Sequence, residues 1–212
     1  MDPLLFERFE QAREVGDKRL AAAMIKDFVA TFSSITDRTT WAHWYFDNRQ
    51  PSNTIRHELY EQVIFPVLIA GYSRSDPWSL KWLERTAQNL YKAERLWAQV
   101  DYKPAIYFAK KRLALCPNGA DAKQTVLSHL VKQFSHAEHE WPAGILCGMN
   151  GATMEHCTEI LNDVELARTL DQGSEHTEFF SNFVSKVHDY QSRLTNYALH
   201  KEMRGHPRTN EP

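Results

Sequence analysis

The chain has 212 residues, a formal net charge of -2, 42% hydrophobic and 25% charged residues, and only eight glycines. This hydrophobic content excludes wholesale disorder, and the scarcity of glycine disfavours a turn-rich β fold. Because basic residues are not in excess, we expect no nucleic-acid partner.

The first part of the chain contains three segments with helical periodicity. Pro3–Glu14 carries an apolar stripe, and Asp17 is suited to cap a second helix over Lys18–Phe32. A third, short helix over Asp37–Asp47 is rich in aromatic side chains.

The middle of the chain contains a proline that complicates the pattern. A helix from about Thr54 approaches Pro66, where the missing amide proton predicts a break or a kink, followed by a short apolar turn. The run Val63–Ile69 is also compatible with a strand, although one strand alone forms no sheet. Asp76 and Pro77 give the clearest helix start in the sequence, a cap followed by proline at the first helical position.

The second half of the chain shows the most regular helical periodicity. Pro104 opens a helix that ends at the turn Cys116–Gly119. The apolar stripe of the following helix contains Ala122, Val126, Leu130, Phe134, Ala137 and Trp141. After a glycine-containing connector, Thr153–Leu170 is predicted to be helical, and Ser174 to cap a long final helix. Residues 205–212 have the composition of a flexible tail.

One helix junction has a recognisable form. An alanine-bearing helix ends at Leu115 and is followed by Pro117 and Asn118, and an alanine opens the next helix. This arrangement, over Ala105–Ala122, resembles the junction between two tetratricopeptide repeats and covers about one repeat. The resemblance implies a scaffold of stacked helical hairpins that binds other proteins in a groove.

These patterns together predict an all-α fold. We expect about eight or nine helices, arranged as stacked antiparallel hairpins like those of tetratricopeptide repeats or as an irregular bundle. Residues 1–204 are expected to form a single helical domain that ends in the flexible tail.

The cysteines and the apolar runs bear on the cellular compartment. Three cysteines at sparse positions are not typical of a disulfide-stapled secreted domain. The longest apolar run, Val63–Gly71, is about half the length of a membrane-spanning helix. We therefore expect a cytoplasmic protein with no membrane partner.

The sequence shows no signature of an enzyme. It contains no phosphate-binding loop, no dinucleotide fingerprint, no nucleophile elbow and no kinase motif set. We accordingly expect no cofactor and favour a protein without catalysis.

A histidine-rich segment is the best candidate for chemistry. On a helix, His136 and Glu140 share a face, His139 lies beside them, and His156 follows downstream. With Cys157 after His156, and Cys147 between the two histidine positions, these residues could form a mixed metal site around residues 136–157. The stronger alternative is a surface pair of His136 and Glu140, with His139 closing the helix C-terminus.

The aromatic cluster Trp41, Trp44 and Tyr45 is the best candidate for binding a partner. Trp41 and Trp44 share a helix face, and tryptophan and tyrosine are frequent interface anchors. The alternative is that this short helix is buried entirely in the core.

The leading hypothesis is a non-catalytic cytosolic helical scaffold that binds another protein. A toxin-neutralising immunity protein and an adaptor are two versions of it. A metal-dependent enzyme built on the histidine-rich segment is the second hypothesis, and a nucleic-acid or regulatory protein is the third.

Overall fold

The computed structural model describes residues 1–49, 55–139, 144–147 and 150–205, with the backbone alone for residues 139 and 198–205. Contacts divide the chain into two compact units, Met1–Pro117 and Asn118–Pro212. The single domain expected over residues 1–204 stays a prediction, because a division by contacts does not decide whether the units unfold together.

The prediction of an all-α fold is confirmed. Helices make up 78% of the structure. The only sheet in the described residues is an antiparallel pair of two-residue strands.

The first unit begins with a helical hairpin. Helix α1 (Pro3–Glu14) and helix α2 (Lys18–Ala30) pack against each other, and Gly16 adopts a φ of +77° in the turn between them. The carboxylates of Asp2 and Asp17 each accept a hydrogen bond from a backbone amide in the first turn of the helix that follows. The Asp17 cap is the one expected from the sequence, while the Asp2 cap was not predicted.

The helix after α3 (Ile35–Asn48) differs from its prediction. It runs continuously through α4 (His57–Leu59), a π-helical segment (Tyr60–Ile64) and α5 (Phe65–Ser73). The predicted break at Pro66, the short apolar turn after it and the alternative strand are therefore wrong, while the alternative of a kink at Pro66 stays a prediction. The physical reason is that the π-helical segment directly before the proline changes the hydrogen-bond register, so the helix continues through it.

The first unit ends with short helices joined by tight turns. The predicted start at Asp76 and Pro77 is confirmed, because the Ser79 amide donates to the Asp76 carboxylate at 2.9 Å. The remaining elements are α6 (Pro77–Arg85), α7 (Ala87–Tyr91), α8 (Glu94–Trp97), a 3-10 helix (Ala98–Val100) and α9 (Ala105–Leu115).

An aromatic cluster forms the part of the core where α1, α2 and α3 meet. Phe6 of α1, Phe28 of α2 and Trp41 of α3 contact one another, with ring centroids 5.2 to 5.4 Å apart. All three side chains are buried. Burying an aromatic side chain contributes about 1.5 to 3 kcal/mol, so this cluster fixes α1 beside α3.

The described residues of the second unit form three helices and the small sheet. They are α10 (Ala120–His139), β1 (Leu146–Cys147), β2 (Asn150–Gly151), α11 (Met154–Leu170) and α12 (Thr177–Gly205). Phe134 of α10 stacks on Phe183 of α12 with centroids 5.0 Å apart, and both rings are fully buried.

The start and the end of α12 differ from their predictions. Ser174 does not cap this helix; its backbone has a φ of +54°, and the Asp171 carboxylate instead accepts hydrogen bonds from the Glu175 and His176 amides. The helix extends to Gly205, and residues 206–212 of the predicted tail lie outside the described residues.

Candidate partner-binding pocket

An apolar pocket opens between α1 and α3, and we call it the Trp44 pocket. It has a volume of about 320 Å³. Its walls are formed by Met1, Pro3, Phe6, Glu7, Glu10, Trp41, Trp44 and Arg49. The residues from α1 follow steps of three and four, so they form one face of that helix over two turns.

Buried aromatic rings hold the pocket in shape. The Trp41 ring is 2% exposed and stacks on Tyr45 with centroids 4.9 Å apart and an interplanar angle of 22°. Phe6 meets both Trp41 and Trp44 edge to face, at 5.3 and 6.4 Å. Such contacts favour one arrangement of the rings, so the pocket is formed before any partner arrives.

The three aromatic residues selected from the sequence have different environments. Trp41 belongs to the core, while Trp44 is 43% exposed. Tyr45 is partly buried, and this burial raises the pKa of its phenol above the ordinary value. Trp44 is thus the one member of this cluster whose ring offers a large apolar surface to a partner.

Charged side chains line one edge of the Trp44 pocket. The Arg49 guanidinium donates to the Glu10 carboxylate at 2.5 Å, joining the end of α3 to α1. Glu7 is exposed on the same wall. An apolar centre with a polar edge is the usual composition of a protein-binding site.

The sequence did not indicate the α1 side of this pocket. From the sequence alone, Phe6 is interpreted as a core residue of an amphipathic helix. The ion pair between Glu10 and Arg49 joins residues 39 positions apart, so no local pattern indicates it. The apolar stripe of α1 shows that one helix face is buried, but it does not show which helix covers it.

A smaller polar cavity lies on another side of α3. It has a volume of about 250 Å³ and includes His43, Arg74, Asp76 and Trp78 in its lining. The His43 ring stacks on Trp78 with centroids 3.8 Å apart. The Asp76 carboxylate is already occupied by Ser79, whose hydroxyl donates to it at 2.6 Å, so it serves as a helix cap.

The structure does not bring together the residues that the sequence predicted as metal ligands. His136 is exposed on α10, while Glu140 and the His139 side chain lie outside the described residues. The His156 Nδ1 atom accepts a hydrogen bond from the Thr153 amide at 3.2 Å as part of a capping box. Within the described chain, no three potential ligands come together to hold a metal ion.

The cysteines near this segment are free thiols. Cys157 is fully buried on α11. Burial raises the pKa of its thiol, and the neighbouring Cys147 adds to this effect. A buried thiol with a raised pKa is a poor nucleophile, which is consistent with a core position.

Comparisons with known proteins give no family for this chain. No protein-family model, no curated protein and no solved structure matches it. In the part of the chain that the structure describes, no helix is both long and apolar enough to cross a bilayer.

Proposed function

We propose that this protein is a non-catalytic, cytoplasmic helical scaffold that binds a protein partner through the Trp44 pocket. One observation carries the proposal: Trp44 is 43% exposed at a pocket whose other aromatic walls, Phe6 and Trp41, are buried and rigid. Exposing a large ring costs free energy in water, and covering it with a partner recovers that free energy.

The size and shape of the pocket favour a side chain of a protein. A volume of about 320 Å³ is near the lower limit for sites that enclose drug-sized ligands. The α1 wall is a single helix face, which suits a partner helix or extended segment lying along it. We expect this segment to insert one apolar side chain against Phe6 and Trp44.

A narrower form of the proposal is a toxin-neutralising immunity protein or an adaptor built from tetratricopeptide-like hairpins. The bounds of two helices are compatible with the predicted turn between them, because α9 ends at Leu115 and α10 begins at Ala120. If a gene beside this one encodes a toxin domain, co-expression of this protein should restore growth. Continued growth arrest would count against the immunity role.

Site-specific photo-crosslinking tests the proposal in intact cells. Glu7 is replaced by p-benzoylphenylalanine, because it is an exposed wall residue whose loss leaves the aromatic cluster intact. The matched control carries the same replacement at Glu159, an exposed position on α11. We expect a discrete crosslinked protein from position 7 that is absent from position 159 and weakened by Trp44→Ala.

Two results would contradict the proposed function. One is that position 7 gives no crosslinked protein above the background seen at position 159. The other is that Trp44→Ala leaves the crosslinked protein unchanged in amount.

A further inference from the structure

A larger cavity, which we call the Arg13 cavity, lies beside the end of α1, the start of α4 and the end of α7. It has a volume of about 700 Å³. Ile55 and Asn89 contribute buried side chains to it, 3% and 4% exposed. Among the residues that the structure describes, this cavity and the Trp44 pocket share no lining residue.

A buried amide fixes the backbone at the base of the Arg13 cavity. The Asn89 side chain accepts a hydrogen bond from the Ile55 amide at 3.0 Å and donates one to the Ile55 carbonyl at 2.7 Å. Breaking these bonds would leave buried polar groups unsatisfied, so the arrangement resists change. These two hydrogen bonds therefore fix the backbone at Ile55, and with it the start of the segment that carries Arg56 and His57 in the cavity wall.

The charges lining the Arg13 cavity are mostly positive. Arg13, Arg56 and Lys92 are permanent cations, the His57 Nε2 atom lies 2.8 Å from the Glu61 carboxylate, and Glu58 is the single carboxylate in the described lining. Arg56 engages that carboxylate with two of its nitrogens, at 2.8 and 3.0 Å. The only acidic group in this lining is thus already paired.

Among the described residues, two of these cations have no opposite charge in contact, although the Arg13 guanidinium lies over the Phe9 ring, 5.7 Å from its centroid. Neither Arg13 nor Lys92 forms a salt bridge with any residue in the described part of the chain. A concave surface concentrates the field of such charges and raises the local concentration of anions. Guanidinium and ammonium groups together match the oxygen atoms of phosphate and carboxylate groups.

We propose that the Arg13 cavity binds a small, multiply charged anion that carries phosphate or carboxylate groups. Its volume lies within the range of small-molecule sites. The anion lies between Arg13 and Lys92, with Arg56 held nearby by Glu58. This site goes beyond the proposed partner binding and does not depend on Trp44.

Isothermal titration calorimetry of the full chain at low ionic strength tests this site. Sodium pyrophosphate and trisodium citrate are titrated separately, so the phosphate and carboxylate sources are distinguished. We expect at least one of them to bind with one-to-one stoichiometry and to weaken as sodium chloride is added. The double variant Arg13→Gln, Lys92→Gln should bind that anion at least about tenfold more weakly.

A matched control separates local from general charge effects. The double variant Arg19→Gln, Lys26→Gln removes the same charge from exposed positions on α2 outside the cavity, and its affinity should stay close to wild type. Binding of neither anion at millimolar concentration, or equal weakening in both double variants, would overturn the proposal. If the cavity variant does not fold, Lys92→Gln alone provides the comparison, and undiminished binding would overturn it.

Discussion

Gly71 of α5 lies against Ser79, a buried residue of α6. A Cβ atom at position 71 would lie 2.6 Å from the Ser79 Cβ and 3.1 Å from the Asp76 carboxylate. The close approach of the two helices therefore requires glycine at this position. The sequence showed only that Gly71 lies in an apolar run. It could not show that glycine is required there, because the constraint comes from Ser79 on the following helix.

We expect Gly71→Ala to lower the free energy of unfolding by about 1 to 3 kcal/mol. The added methyl group overfills the contact with Ser79, and this cost exceeds the gain in helix propensity. Urea denaturation measures the effect. Gly173→Ala is the matched control, because its Cβ would meet nothing closer than 3.4 Å, and we expect a change within about 0.5 kcal/mol. Equal effects of the two substitutions would contradict this explanation.

Helix starts were predictable from the sequence where a capping side chain adjoins the helix. Asp17 and Asp76 act as predicted, since the cap uses a contact between residues three positions apart. The continuity of the helix through Pro66 was not predictable, because it depends on a π-helical segment buried in the core. The hydrogen bonds from the turn before α12 to the Asp171 carboxylate were missed because they cross four and five residues.

The cap of α6 predicts a dependence of stability on pH. Burial acts to raise the pKa of the Asp76 carboxyl, but hydrogen bonds from Ser79 and from the Trp78 amide, with the nearby His43, hold it below its ordinary value. A lowered pKa in the folded state stabilises the protein above the unfolded-state pKa of about 3.9. This contribution is lost as the pH falls through the folded-state pKa.

We therefore expect Asp76→Asn to be less stable than wild type at neutral pH, with a difference that narrows as the pH falls below about 4. Asparagine still accepts a capping hydrogen bond but carries no titrating charge. Urea denaturation at pH 7 and pH 3 measures both differences. A difference that does not change between these two conditions would contradict the role of the ionised carboxylate.

At the scale of the whole molecule, the two contact units predict how destabilisation spreads. Phe183→Leu weakens the ring stacking with Phe134 and should cost about 1 to 2 kcal/mol. We expect hydrogen exchange to increase in residues 118–205 while residues 1–117 stay protected. Phe28→Leu, in the core of the first unit, should give the reverse pattern. A uniform increase with either substitution would instead favour the single domain expected from the sequence.

The candidate site was predictable from the sequence only in part. Trp41, Trp44 and Tyr45 were selected for their residue types and helical spacing, and all three lie in one aromatic cluster. The sequence could not show which ring is exposed, because burial of Trp41 depends on Phe28 of α2 and on Phe32, which follows that helix. The Arg13 cavity could not be foreseen either, since three separate segments contribute to it.

The central claim is tested most directly with the purified crosslinked partner. Its affinity for the Trp44→Ala variant is compared with its affinity for the wild type. The matched control is Tyr197→Ala, which removes an aromatic ring that is 72% exposed on α12. We expect Trp44→Ala to weaken binding by about thirtyfold or more, as at a central interface anchor, while Tyr197→Ala leaves it unchanged. Both variants should keep wild-type helicity by circular dichroism. Affinities for the two variants that agree within about twofold would contradict the account, because Trp44 would then contribute no more than an ordinary surface residue.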